Sequence, residues 1–295
     1  MFVTRFAPSP TGLLHLGHAV SALTAARAAE AAGGRFLLRI EDIDRTRCRP
    51  EFEEAIYEDL AWLGLEWETP VRRQSEHLDD YGRALRQLIE RGLVYRCFKT
   101  RAEILDDITR APHLAPDGPD GPAFIGAPLD PGEERTLLEA GAPFAWRLSI
   151  ERARAALGAR FEDLTIEVES LDGACRETIA ADPGMFGDVV LGRKDSGTSY
   201  HLASTHDDAA QGVTHVIRGE DLAPAAHLHR LLQALFGWPA PIYRHHPLVT
   251  DASGRRLAKR DRAATLRAIR EQGERPDALS ALARFYRRPQ LRSEG

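Results

Sequence analysis

The sequence predicts an α/β fold, and three observations carry that reading. A strand-like start at residues 2–6 leads through a loop into an alanine-rich helical stretch from Leu16 to Ala32, then into the apolar run Phe36-Leu37-Leu38-Arg39-Ile40. Two histidines, His15 and His18, stand where that helix begins, and a basic run, Arg256-Leu257-Ala258-Lys259-Arg260, lies far downstream. Between them, residues 111–132 are rich enough in proline and glycine to read as an irregular insertion, and apolar strand patterns resume after it. Together these predict a Rossmann-like, doubly wound parallel sheet split by an insertion, with a short helical C-terminal region.

Each element has a local reason. Gly33-Gly34 stops the first helix. The short apolar run at 36–40 suits a strand buried on both faces. This βαβ unit sets His15 and His18 at the carboxyl end of the first strand, where such sheets bind ligands. Phe52, Ala55, Ile56, Leu60 and Leu63 share one helical face, as do Leu78, Tyr81, Leu85, Leu88 and Ile89 before Gly92. After the insertion the sheet is expected to return at Asp188-Val189-Val190-Leu191. Tyr200-His201-Leu202-Ala203 and Val213-Thr214-His215-Val216-Ile217 read as further strands. A helix is expected from Pro224 to Phe236, with Leu228, Leu231, Leu232 and Leu235 inward and Gly237 as terminator. The expected organisation is a first Rossmann half at 1–92, an inserted subdomain at 93–185, a second half at 186–240, and the basic loop with a helical region at 241–295.

Composition narrows the class. At 295 residues and 43% hydrophobic content the chain can bury a substantial core, ordinary for a soluble protein. No apolar run approaches the roughly 18 residues that suggest a membrane span. Met-Phe-Val-Thr-Arg-Phe reads as a strand rather than a leader, so a cytoplasmic location is expected. Cys48, Cys97 and Cys175 are isolated, which argues against a disulfide framework or a cysteine-rich metal site. The net charge of −5 does not mark a nucleic-acid binder, but residues 253–292 carry 12 Lys or Arg against 4 Asp or Glu. Such a local stripe can meet phosphates on an acidic protein.

The two signatures suit phosphate chemistry. Histidines at a helix start can donate to phosphate oxygens, and the helix N-terminus adds partial positive charge. Gly17 between them would let a nucleotide approach the backbone. Lys259 follows the turn-rich run Asp251-Ala252-Ser253-Gly254, which suits a loop that closes over a leaving group. The pair resembles the two ATP signatures of class I aminoacyl-tRNA synthetases. His15, Gly17, His18, Arg256 and Lys259 would then bind ATP, with Mg²⁺ on its phosphates. His15, His18 and Lys259 would be the catalytic groups of the KMSKS-like chemistry.

Longer motifs narrow the resemblance. Arg5-Phe6-Ala7-Pro8-Ser9-Pro10-Thr11-Gly12, Arg39-Ile40-Glu41-Asp42 and Gly212-Val213-Thr214-His215-Val216-Ile217-Arg218-Gly219-Glu220-Asp221 resemble glutamyl-tRNA synthetases, over roughly residues 2–92 and 186–262. The likeness implies that Arg5, Ala7, Ser9, Glu41, Tyr200 and Arg218 line an amino-acid pocket, and that 93–185 is acceptor-binding-like. Charge supports it independently. Glutamate carries two carboxylates and one ammonium, so its site needs two cations and an anion. Arginine forks suit carboxylates, and Glu41 can hold the ammonium. A fixed guanidinium at the γ-carboxylate would reject glutamine. Which arginine meets which carboxylate is open at this point.

The family's helical anticodon-binding domain is expected to be absent, because the chain stops about 35 residues after Arg260. That layout resembles the truncated glutamyl-Q tRNA(Asp) synthetases, which attach glutamate to the queuosine base of tRNA(Asp). The expected function is ATP-dependent activation of L-glutamate and its transfer to that base, by a monomer, with no membrane partner. A minimal enzyme charging the 3′ end of tRNA(Glu) is the first alternative, and a non-catalytic tRNA-binding paralogue the second.

Two departures bear on the site. Many relatives hold zinc in the insertion with a Cys-x-Cys pair, a Tyr and a third Cys. Here Cys97 stands with Lys99 in the second position, and no cysteine follows before Cys175. One thiolate cannot build a tetrahedral site, and His113 is the remaining substitute, so no structural zinc and no protein metal site are expected. In the basic loop, Arg256 replaces the motif's first lysine and Ala258 its serine. Ser204 stands where full-length glutamyl enzymes commonly have Asn.

Overall fold

The computed structural model describes residues 1–110, 117–119, 121–249 and 265–276. The chain opens with β1 (Val3–Phe6), α1 (Leu16–Ala31), β2 (Arg35–Ile40), α2 (Pro50–Trp62), β3 (Glu68–Arg73), α3 (Leu78–Glu90) and β4 (Val94–Cys97). Its middle holds α4 (Arg101–Arg110), β5 (Asp117–Gly118), β6 (Gly121–Pro122), α5 (Pro131–Glu139), β7 (Ala145–Leu148), α6 (Ile150–Leu157), α7 (Ala159–Glu162), β8 (Thr165–Glu169) and β9 (Arg176–Ala180). There follow β10 (Val189–Gly192), α8 (Tyr200–Ala210), β11 (His215–Gly219), α9 (Ala225–Phe236), β12 (Ile242–His246) and α10 (Leu266–Glu271).

A parallel sheet forms the frame. β1 pairs with β2 and β2 with β3, all parallel. β11, β12 and β8 are parallel too, and β9 closes that edge antiparallel to β8. Thr214 joins the two groups. Its N–H donates to the Val3 carbonyl at 2.9 Å, and the Val3 N–H donates to its Oγ1 at 2.9 Å. The spatial order is therefore β3-β2-β1-β11-β12-β8-β9, and the chain reverses direction across the sheet between β1 and β11. Sheets of this kind bind ligands at that crevice.

α1 covers the sheet with small side chains. Ala19, Ala22 and Ala25 are buried, so the helix lies close on β1 and β2 and helps bury Phe36 and Leu38. The turn after it is tight, because a Cβ on Gly34 would stand 2.3 Å from the Phe2 carbonyl oxygen. A second core gathers Leu85 and Leu88 of α3, Leu202 of α8, and Leu228, Leu231, Leu232 and Leu235 of α9.

Two expectations are corrected. Tyr200-His201-Leu202-Ala203 is the first turn of α8 rather than a strand, capped by Ser199, whose Oγ accepts from the Leu202 N–H at 3.4 Å. Four residues cannot distinguish strand from helix by periodicity, and the cap decides. Residues 189–192 do form a strand, but β10 pairs antiparallel with β7, which pairs antiparallel with β4. That strand completes a separate small sheet. The parallel sheet instead takes β8, from within residues 93–185, and β12. Arg256, Lys259 and His113 lie outside the described residues. Among those described, no helix is long and apolar enough to cross a membrane.

Candidate active site

A cavity of about 510 Å³ opens over the carboxyl ends of β1 and β11. Arg5, Ala7, Ser9, Glu41, Tyr200 and Arg218 all line it, although they come from four separate stretches of sequence. His15, Gly17 and His18 line the same cavity. The fold therefore brings together every expected site residue that falls among those described. Val249 and Thr265, the described residues on either side of 250–264, are here as well. Val249 lines the cavity, and Thr265 forms a bridge with His15 while the Leu266 N–H donates to the Leu14 carbonyl at 2.9 Å.

The start of α1 fixes its two histidines. His15 is the N-cap, and its Nδ1 accepts from the Gly17 N–H at 3.1 Å. The His15 N–H in turn donates to His18 Nδ1 at 3.2 Å, a capping box built from imidazoles. Both Nδ1 atoms accept, so each neutral ring carries its proton on Nε2. The rings lie 3.9 Å apart between centroids. The two Nε2–H donors thus stand together at the positive end of α1, which suits an anion. Gly17 has a further role beyond backbone access. A Cβ there would meet the His15 ring at 3.0 and 3.1 Å, so any side chain at this position presses on the ring that makes the cap.

The charged end of the cavity rests on a buried ionic lattice. Arg5 donates from Nε to Asp208 Oδ1 at 2.9 Å and from Nη2 to Oδ2 at 3.4 Å. Arg39, fully buried, donates to Asp208 Oδ1 at 2.7 Å, to Gln211 Oε1 at 3.1 Å, to Glu41 Oε1 at 3.1 Å and to Ser204 Oγ at 3.3 Å. Asp207, beside it, accepts from Tyr81 at 2.7 Å, Arg72 at 2.9 Å and Gln74 at 3.1 Å. Burial alone would raise the Asp207 carboxyl, but His206, Arg39 and Arg72 outweigh it and hold the pKa down to about 2. Glu41 goes the other way. Burial pushes its carboxyl up, and Arg39 and Arg5 only partly offset that.

Arg218 stands apart from this lattice. It is 5% exposed, yet Nε, Nη1 and Nη2 all lack a hydrogen-bond partner among the described residues. Its guanidinium lies 5.2 Å from the centroid of the Tyr243 ring. Around it the titratable neighbours are neutral. Burial, then the charge of Arg218, lowers His201 to about 4 and His245 to about 3. A buried cation left without an acceptor is costly, and a carboxylate entering the cavity would relieve it.

Sequence reasoning missed Asp207, Asp208, Ser21 and His246. Ser21 had a signal, its spacing of three from His18 on one helix face. Nothing local in the sequence marks the adjacent acids Asp207 and Asp208 as buried. Cys97 packs with Tyr95, Ile104 and Phe124.

Three comparisons say which known proteins this chain is similar to. A family model described as tRNA synthetases class I (E and Q), catalytic domain, matches residues 1–292. A glutamyl-Q tRNA(Asp) synthetase of Rhodobacter capsulatus is 48% identical over 280 residues, 95% of this chain and 99% of that protein. A glutamate–tRNA ligase of Aquifex aeolicus is 38% identical over 94% of this chain, which spans 55% of that protein. The crystal structure of a glutamate tRNA ligase from Elizabethkingia meningosepticum, in complex with its amino acid, superposes with a TM-score of 0.72 at 29% identity. That match covers 96% of this chain and 60% of the solved one. The chain belongs to the class I tRNA synthetases of the E and Q type, and it carries their catalytic domain.

Proposed function

We propose that this chain activates L-glutamate with ATP and transfers the glutamyl group to the queuosine base in the anticodon of tRNA(Asp). The unpartnered, buried guanidinium of Arg218 carries the amino-acid half of the reading. It shares one cavity with Glu41, a carboxylate suited to an ammonium, and with Arg5, so the charges match glutamate. In this reading Arg218 takes the γ-carboxylate, the group that separates glutamate from glutamine. Glutamine's amide would leave it unneutralised. Tyr200, Ala7 and Ser9 complete that wall.

In the first step a glutamate α-carboxylate oxygen attacks the α-phosphorus of ATP, and the bond to pyrophosphate breaks. His15 and His18 donate Nε2–H to phosphate oxygens as negative charge builds, at the positive end of α1. Gly17 keeps that wall thin. Lys259, with Arg256 beside it, neutralises the departing pyrophosphate. In the second step a hydroxyl of the queuosine cyclopentene ring attacks the acyl carbon, AMP leaves, and the hydroxyl proton is released. Positioning and charge supply the rate, and no covalent enzyme intermediate is required.

Magnesium enters on the nucleotide as MgATP. Among the described residues no group of three or more His, Cys, Asp or Glu is placed to hold a metal ion. The inserted, acceptor-binding-like part at 93–185 is held without zinc in this reading. Asp188 accepts from Tyr95 Oη at 2.8 Å and from the Gly126 and Ile150 N–H groups at 3.0 Å each. A cytoplasmic monomer is the working assembly.

The deciding experiment offers labelled glutamate and ATP with tRNA(Asp) bearing queuosine, the same tRNA without it, and tRNA(Glu). Label on the first RNA alone, surviving removal of its 3′ end, is expected. The names of several relatives, at 48% and 42% identity among others, favour that acceptor. Label on tRNA(Glu) instead would make this a minimal charging enzyme. Absence of glutamate-dependent pyrophosphate exchange would make it a binding module.

A further inference from the structure

The two steps above leave one buried acid unused. Asp59 lies on α2, shut off from solvent, and neither of its carboxylate oxygens has a hydrogen-bond partner among the described residues. Arg270 of α10 stands beside it, with Nη2 at 3.6 Å from Oδ1, an ion pair without a hydrogen bond. The same Nη2 donates to Glu58 Oε2 at 2.9 Å, and Arg267 Nη2 is 3.8 Å from that oxygen. Among the described residues the charged groups facing Asp59 are thus Arg267 and Arg270 from α10 and Glu58 from its own helix.

Burial raises the Asp59 carboxyl to about 6, and the two arginines only partly offset it. Near neutral pH it is charged in a place that resists charge. A carboxyl raised in the folded chain weakens the fold as the pH climbs through that range. The charge is therefore not accounted for by stability, and what it holds has to be considered.

It holds α10, and α10 meets the phosphate end of the cavity. Thr265 caps α10, its Oγ1 accepting from the Ala268 N–H at 3.2 Å, and the same residue forms the antiparallel bridge with His15. The Leu266 N–H donates to the Leu14 carbonyl at 2.9 Å, and its side chain is buried in the core shared by α1, β2 and α2. A helix of 6 residues is not kept in place by its own backbone bonds, so packing and ion pairs decide where it sits.

We propose that Asp59, through Arg270, is a positioning residue for His15: the ion pair seats α10 on α2, and α10 sets the backbone of Leu14 and His15 from which the imidazole reaches phosphate. This rests on the reading of His15 as a phosphate donor.

The test is glutamate-dependent pyrophosphate exchange by the full chain between about pH 5 and pH 8, with Tm measured alongside. At the alkaline end Asp59→Asn is expected to lower kcat/KM for ATP by about threefold to tenfold, with KM for glutamate unchanged. Its Tm should hold or rise, because a poorly solvated charge has gone. As the pH falls through about 6 the two proteins should converge, since wild-type Asp59 then carries its own proton. Arg270→Met should show the loss at every pH, and Arg270→Lys should restore part of it. If wild type exchanges and Asp59→Asn matches it at the alkaline end, the assignment is overturned. A loss that stays the same at every pH overturns it too, since a packing role does not follow the proton. If wild type shows no exchange at any pH, the parent reading fails and this one with it.

Discussion

Arg39 and Arg218 are both shut away from solvent, at 0% and 5% exposure. Arg39 bonds to Asp208, Glu41, Gln211 and Ser204, whereas no side-chain nitrogen of Arg218 has a partner among the described residues. Burial of a charge is expensive either way, and partners decide what the expense is for. A cation with its acceptors in place is a joint of the scaffold. A cation without them is a half-built interaction that a ligand completes. By that criterion the Arg39 lattice holds α8 to β2, and Arg218 belongs to the substrate. Arg5 is intermediate, lining the cavity while already paired with Asp208.

The largest effect should come from breaking the unpartnered side. Arg218→Met removes the cation that glutamate would neutralise. Pyrophosphate exchange should fall by about 10²–10³ in kcat/KM, equivalent to roughly 3–4 kcal/mol for a lost buried charge pair. Thermal stability should hold or rise, since an uncompensated charge has been removed from the interior. A fall in Tm with full activity would reverse the assignment of the two arginines.

Arg39→Met should show the opposite pattern. It takes from Glu41 its side-chain donor and leaves Asp208 with Arg5 alone, which costs about 3–5 kcal/mol for a broken buried network. Urea unfolding should show the midpoint falling by that equivalent. An unchanged midpoint would mean that the lattice is not the joint described here.

The same lattice predicts an acid limit. The Asp207 carboxyl, ordinarily at 3.8, is held at about 2 in the folded chain, so it contributes stability while it is charged and paired. That contribution, of about 2 kcal/mol, is complete above roughly pH 4 and fades as the pH falls through the folded value. Asp207→Asn should flatten the loss of stability between those limits. If the slope survives in the variant, other carboxylates carry the acid sensitivity.

These contrasts mark what could be read from the chain. The first βαβ unit was legible because Gly33-Gly34, the alanine face and the apolar run at 36–40 are local signals. The positions of Arg5, Glu41 and Arg218 were legible through motif, since each lies at a strand's carboxyl end. The strand at Glu68–Arg73 was not, because its charged residues and Pro70 give no alternation at an edge of the sheet. Nor could the sequence separate Arg39 from Arg218. Their difference lies in Asp207 and Asp208, which are distant in sequence and reach β2 only through tertiary packing.

The smallest effect sharpens the comparison at α1. In Gly17→Ala the new Cβ would press on the His15 ring at 3.0 Å, and the ring is expected to be displaced from its cap. Losing the cap costs about 1 kcal/mol, while alanine in a first helical turn restores up to about 1 kcal/mol of propensity. Stability should therefore change little. Catalysis has no such offset, because the displaced ring no longer presents Nε2–H beside His18. Pyrophosphate exchange should drop severalfold while glutamate binding alone, measured calorimetrically, stays as it was. Equal losses in both would place Gly17 among the packing residues of the amino-acid pocket instead of at the phosphate end.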